Sequence, residues 1–223
     1  MNKAQKIHQK LVDFYGEPTW RSELPPLDEL ISTILSQNTN DTNRDRAFES
    51  LKKEFSTWEE VRDAPAGKIV DAIRVAGLAN QKGPRIQSIL REITEQRGSL
   101  DLDFLKDMST QDVYNWLLKF KGVGPKTASI VLLFSLGKPA FPVDTHIHRV
   151  SGRLGLRPPE MGADKAHAHL AEQFPQETYY TAHLNLIRLG REICSARQPK
   201  CTICPLQENC RYYTENLADE PQS

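Results

Sequence analysis

All four cysteines of this 223-residue chain, Cys194, Cys201, Cys204 and Cys210, fall in one run near its end. Six, two and five residues separate them. Thiolate sulfur is the soft ligand that selects iron–sulfur clusters or zinc. Two cysteines two residues apart can wrap one metal centre, and the flanking pair closes the shell. The spacing does not choose the metal, since it matches neither common ferredoxin pattern and neither standard zinc pairing. The competing reading is a pair of structural disulfides. Against it, Met1 to Lys10 is polar and charged, without the apolar core of a secretion signal. Disulfides are rare in a reducing cytosol. A cytoplasmic metal site is the expectation.

A second set of residues could do chemistry at the centre of the chain. Leu118 to Ser129 reads LKFKGVGPKTAS. Gly122 and Gly124 let the backbone turn sharply, and Pro125 suits the first position of a new helix. The unpaired N–H groups of that helix start lie at the positive end of its dipole, where a phosphate is held well. An ordinary turn between two helices is the bland alternative. Lys126 sits in the first helical turn, where a cation is unwelcome. That placement favours the neutral amine that Schiff-base chemistry needs. Asp144 follows eighteen residues later, ahead of Ile147, Val150 and Leu154. It reads as an N-cap, and a carboxylate held there can also act as acid, base or electrostatic partner. His146 and His148 are two apart and do not form a metal pair.

The elements that must position these groups carry the helical period. Ile7, Leu11 and Phe14 line one face. Pro25 and Pro26 open a helix with Leu27, Leu30, Ile31, Ile34 and Leu35 inward. Asp41 is placed to cap the next, which buries Ala47, Phe48, Leu51 and Phe55. Thr57 and Glu60 have capping-box spacing. Ile69, Val70 and Ile73 form a short helix stopped at Gly77. Ile86, Ile89, Leu90 and Ile93 line another. Ser109 and Asp112 start one with Val113, Trp116, Leu117 and Phe120 inside. No segment alternates as a strand does. The expectation is an all-α protein of about ten helices joined by short connections, with a polar, frayed tail after Tyr213.

Lysine plus arginine balances aspartate plus glutamate at 29 each, so net charge announces no polyanion. Any nucleic acid must be held by a local patch or by backbone amides. The longest apolar run, Ile130 to Leu136, is far too short to span a membrane.

Taken together, LISTILSQNTND (30–41), GLANQK (77–82), GVGPKTAS (122–129), VDTHIHRV (143–150) and the cysteine run resemble the endonuclease III family of DNA glycosylases, within the helix-hairpin-helix superfamily. The stretches occur in the family's order and span most of the chain. The resemblance implies two helical domains flanking a DNA-binding cleft. One is a six-helix domain over 22–137. The other joins 1–21 to 138–223 and carries a 4Fe–4S cluster held by the four cysteines. Lys126 then matches the catalytic lysine and Asp144 the catalytic aspartate. Asn38, in a gap-free match, or Gln37 beside it, fills the hole left by a flipped base, and Leu78 enters the stack. Gly122, Val123 and Gly124 grip phosphate. The cluster braces the loop from Ser195 to Lys200, whose Arg197 and Lys200 reach phosphates. The implied activity is that of a bifunctional glycosylase and AP lyase in base excision repair. It acts on duplex DNA with oxidised pyrimidines or abasic sites, as a monomer, at the nucleoid of a prokaryote.

Three departures stand out. Ser36-Gln37-Asn38-Thr39-Asn40-Asp41 replaces the archetypal Ser-Ala-Gln-Ala-Thr-Asp, which bears on substrate range. Phe120-Lys121 replaces Leu-Pro, and Pro125 replaces arginine. One change adds a cation beside the turn and the other removes one within it. The rival readings are a single-function mismatch glycosylase, a non-catalytic DNA-binding module and a zinc-stabilised scaffold. Lys126 argues against the first, Asp144 and the cysteines against the second. The colour of the purified protein would separate the third.

Overall fold

The computed structural model describes residues 1–19 and 24–216. Among the described residues there are twelve α-helices with short helical turns between them, and no strand. None of these helices is long and apolar enough to cross a membrane. The chain divides into two compact units, Glu23–Lys138 and Met1–Ser22 with Pro139–Ser223. The continuous unit thus starts and ends one residue later than the expected 22–137.

Helix α1 (Lys3–Tyr15) belongs to the discontinuous unit and starts in a reciprocal cap. Gln5 N–H donates to the Asn2 side chain at 2.8 Å, and Asn2 N–H donates to the Gln5 side chain at 2.8 Å. Ala4, Ile7 and Leu11 face inward, whereas Phe14 is half exposed at the last turn, against expectation.

The continuous unit holds α2 (Pro26–Ser36), α3 (Asp41–Glu54), α4 (Trp58–Asp63), α5 (Ala66–Ala72), α6 (Ala79–Arg97), α7 (Thr110–Leu117) and α8 (Pro125–Ile130). These are seven helices, not six, because Pro65 caps α5 and splits the stretch after Thr57 in two. Helix α2 is buried nearly all round, which marks it as the central rod of the unit. It packs against α3, α6 and α8. Helix α8 widens into a π-turn over Val131–Ser135, all buried, where Leu136 N–H bonds Val131 five residues back at 3.2 Å. Local capping differs from expectation in two places. Asn40, not Asp41, caps α3, because its side chain accepts from Asn43 N–H at 2.8 Å. Thr57 accepts from Glu60 N–H at 3.2 Å, but Glu60 accepts from Ser56 N–H instead of closing a box on Thr57.

The discontinuous unit continues with α9 (Thr145–Leu154), α10 (Ala163–Ala171), α11 (Tyr179–Glu192) and α12 (Arg211–Asn216). Helix α11 packs on both α1 and α9. Phe141 stacks on Phe174 at 5.0 Å and meets the edge of Tyr179 at 5.4 Å. Helix α12 stays ordered as helix through Asn216, beyond the expected fraying point at Tyr213, and 217–223 lie outside the described residues.

Candidate functional site

The turn between α7 and α8 has the shape its glycines require. Gly122 has φ +87°, a left-handed value that glycine adopts without strain. Val123 is buried and donates its N–H to Phe120 at 3.0 Å, so its side chain anchors the turn and its amide is already committed. Gly124 caps α8 and Pro125 opens it. The amides that follow lack helical partners, as at every helix start. Lys126 is the second residue of α8. It is exposed and makes no hydrogen bond or ion pair among the described residues.

Two other loops of the same unit carry backbone strain. Asn38 (φ 53°) and Leu78 (φ 50°) are the only non-glycine residues with positive φ among the described ones. For leucine this conformation costs about 1–2 kcal/mol. Leu78 is also 46% exposed, so it forgoes burial as well. Strained, exposed apolar residues cluster where a surface does work.

Gln37 is not free. Its amide donates to the Gly122 carbonyl at 3.2 Å, and its oxygen accepts from Arg85 at 2.9 Å. The Arg85 side chain lies over Gly122 so closely that a Cβ there would overlap the guanidinium. Asn38, exposed and without a partner among the described residues, is the amide left available. Lys82, three residues before Arg85, is fully buried. Its ammonium donates to the Leu35 and Ala76 carbonyls, each at 2.8 Å. These carbonyls end α2 and the short turn Arg74–Ala76, where helix dipoles welcome a cation. Burial, and then the charge of Arg85, push the Lys82 amine below its ordinary range. The sequence signal for Lys82 was its place four residues before Ile86, on the apolar stripe of α6. Arg85 gave none.

In the other unit Asp144 caps α9, accepting from Ile147 N–H at 2.7 Å through Oδ1. His148 bonds the Met161 carbonyl at 2.9 Å and His146 lies 3.2 Å from Arg149, so both imidazoles are engaged. Two arginines further along α9 tie down the cysteine segment. Arg149 donates to the carbonyls of Cys194 at 3.0 Å and Gly190 at 2.8 Å. Arg153 donates to the carbonyls of Ser195 at 2.6 Å and Ala196 at 2.9 Å.

All four cysteines are free, half-buried and line one apolar space with Leu189, Ile193 and Tyr212. The Arg153 guanidinium donates to the Cys194 sulfur at 3.3 Å. Burial pushes the Cys204 thiol up to about 11 and raises Cys201 and Cys210 as well. Among the described residues no three of His, Cys, Asp and Glu converge on the position of a single metal ion. Arg197 and Lys200 are exposed on the loop ahead of Cys201.

Residues 31–176 match the HhH-GPD superfamily, described as base excision DNA repair proteins. Endonuclease III of Thermotoga maritima is 36% identical over 199 residues, which cover 88% of this chain and 87% of that protein. The chain belongs to the endonuclease III family of DNA glycosylases. A protein of Arabidopsis thaliana whose name assigns it as a DNA glycosylase is 40% identical over 190 residues. The match covers 81% of this chain and 64% of the plant protein. A solved structure described as a trapped endonuclease III–DNA covalent intermediate superposes with a TM-score of 0.81 at 27% identity. It covers 96% of this chain and 99% of its own.

Within the endonuclease III framework, α7, the glycine turn and α8 are the helix-hairpin-helix of a DNA-binding glycosylase of base excision repair. The structure ties Gln37, Arg85 and Gly122 together in the continuous unit. It gathers the four cysteines with Arg153 in the discontinuous one. Lys126 and Asp144 lie in different units, each at the start of a helix.

Proposed function

We propose that the protein is a bifunctional DNA glycosylase and AP lyase that removes oxidised pyrimidines from duplex DNA. The observation that carries the lyase half is Lys126, an exposed amine without a partner among the described residues, on the first turn behind the Gly-Val-Gly hairpin. Its Nζ attacks the sugar C1′, and the C1′–N bond to the damaged base breaks. The amine then loses a proton and the sugar ring opens to a Schiff base. Loss of a 2′ proton expels the 3′ phosphate by β-elimination and nicks the strand. Asp144, its carboxylate held by the N-cap bond, stabilises the positive charge that develops on the sugar and assists proton transfers. Oxidised pyrimidines are the substrate class that the family resemblance implies. A single-function mismatch glycosylase would not need a lysine at this position.

Base extrusion costs a few kcal/mol, less for a damaged base. Leu78 is the wedge that enters the stack, and its exposure in a strained conformation supports that role. Asn38 is the amide that fills the vacated space, because Gln37 is held by the hairpin. Gly122 and Gly124 present backbone amides to phosphate, and Arg197 and Lys200 add charge.

Cys194, Cys201, Cys204 and Cys210 would hold a 4Fe–4S cluster. Four free thiols around one apolar space fit that donor set. When bound, the group would supply a rigid tie across 194–210 and no step of the reaction. The protein works as a monomer in this reading. The test is a panel of duplexes, each with one damaged base or abasic site, scored for base release and for nicking. Release of oxidised pyrimidines with a nick at every released site is the expected result. Release without nicking would leave only the glycosylase.

A further inference from the structure

Asn38 makes no side-chain hydrogen bond among the described residues that would hold its own strained backbone. What holds it lies next door. Gln37 clips onto the hairpin carbonyl of Gly122, and Arg85 clips onto Gln37 while its guanidinium covers Gly122. Arg85 is only half exposed, and its side chain is used on the protein. One helical turn earlier on α6, Lys82 joins the end of α2, just before Gln37, to the carbonyl just before Gly77-Leu78. Helix α6 therefore reaches the three loops of the continuous unit that meet DNA in the proposed function.

We infer that Arg85 is a positioning residue, a latch that acts through Gln37 to hold the Asn38 loop in register with the Gly122–Gly124 hairpin. The inference rests on the glycosylase/lyase reading above. Gln37 accordingly serves the loop and the hairpin, not the vacated base space. The latch matters where the base must be held out of the stack. A preformed abasic site needs no base extruded, so its cleavage depends on the latch far less.

The geometry also separates this role from a direct phosphate contact. A cation that neutralises a phosphate contributes about 0.9 to the salt slope of binding. A guanidinium committed to Gln37 contributes nothing to that slope. Two substitutions that break the same latch do not add.

The experiment compares wild type, Arg85→Met, Gln37→Met and the double variant. Single-turnover release of an oxidised pyrimidine is measured beside nicking of an abasic duplex, with 2-aminopurine fluorescence reporting the opened stack. Melting temperature is recorded for each protein. Arg85→Met is expected to slow base release about tenfold, the size of one lost charge-assisted bond. Abasic nicking should stay within about twofold by the same argument, because no base needs holding there. The fluorescence rise should shrink, the salt slope should not change, and the double variant should match the worse single. Arg85→Lys, which keeps the charge and loses the planar group that covers Gly122, should not rescue. Equal losses on both substrates, a salt slope lower by about 0.9, additive losses in the double variant, or wild-type release would each overturn the latch. If wild type neither releases the base nor nicks, the functional reading fails instead.

Discussion

Arg153 donates from one guanidinium nitrogen to the Cys194 sulfur at 3.3 Å. The same side chain holds the carbonyls of Ser195 and Ala196 and stacks over Tyr212 at 4.8 Å. Arg153 is thus the brace of the loop that leads to Lys200, together with Lys200 N–H bonded to Ile193 at 2.9 Å. The resemblance assigned that bracing to the cluster.

The cysteine set predicts the colour and content of the protein. Purified protein should be yellow-brown, with iron and sulfide in equal amounts at about four of each per chain, as four thiolates require for this cluster type. Cys201→Ser should lower both the iron content and the soluble yield. Arg153→Met should speed iron loss to a chelator, since it frees both the sulfur and the loop. A colourless, fully active protein that contains zinc would defeat the assignment.

Leu78 should matter for extrusion and not for bond cleavage. Its left-handed backbone and exposure mean that Leu78→Gly relieves strain without opening a cavity in the core. Stability should therefore hold or rise slightly, by about 1 kcal/mol at most. Processing of a stacked lesion should fall clearly more than that of an abasic site. A drop in melting temperature with equal losses on both substrates would make Leu78 a packing residue.

How much of this was legible beforehand differs by residue. The helices whose apolar faces repeat were readable, and the buried stripe of α2 follows Leu27, Leu30, Ile31, Ile34 and Leu35 directly. The Asp144 cap was readable because an N-cap is a local bond between near neighbours. Phe14 misled because the period continued past the point where the unit had anything to cover it. The role of Gln37 was hidden for another reason. Its partners are 48 and 85 residues away, and long-range pairing of polar groups leaves no period in the sequence. The roles of Arg149 and Arg153 were hidden for the same reason, since the carbonyls they hold are more than forty residues on.

DNA affinity should weaken with salt despite the neutral net charge. The hairpin offers backbone amides, which release few counterions. Lys121 is exposed beside it and stands where the family's archetype has proline. A shallow dependence on salt is expected, and Lys121→Gln should reduce the slope by about 0.9 if that cation meets one phosphate. An unchanged slope would place Lys121 away from the DNA.

Lys126 gives the sharpest test. The amine is exposed, lacks a partner among the described residues and follows the hairpin on the first turn of α8. Borohydride added during reaction with an abasic duplex should reduce the Schiff base and trap a covalent protein–DNA adduct. Lys126→Gln should abolish both the adduct and strand cleavage. Because the side chain is exposed and makes no hydrogen bond or ion pair among the described residues, melting temperature should not move, so lost activity cannot be laid to misfolding. Asp144→Asn should act differently. Asparagine keeps an oxygen for the Ile147 N–H, so the cap survives while the charge is lost. Base release should slow by about a hundredfold or more, the scale of one lost electrostatic contact to a developing charge, with DNA binding largely intact. A Lys126→Gln protein that still nicks abasic DNA at the wild-type rate would move the lyase chemistry to another amine.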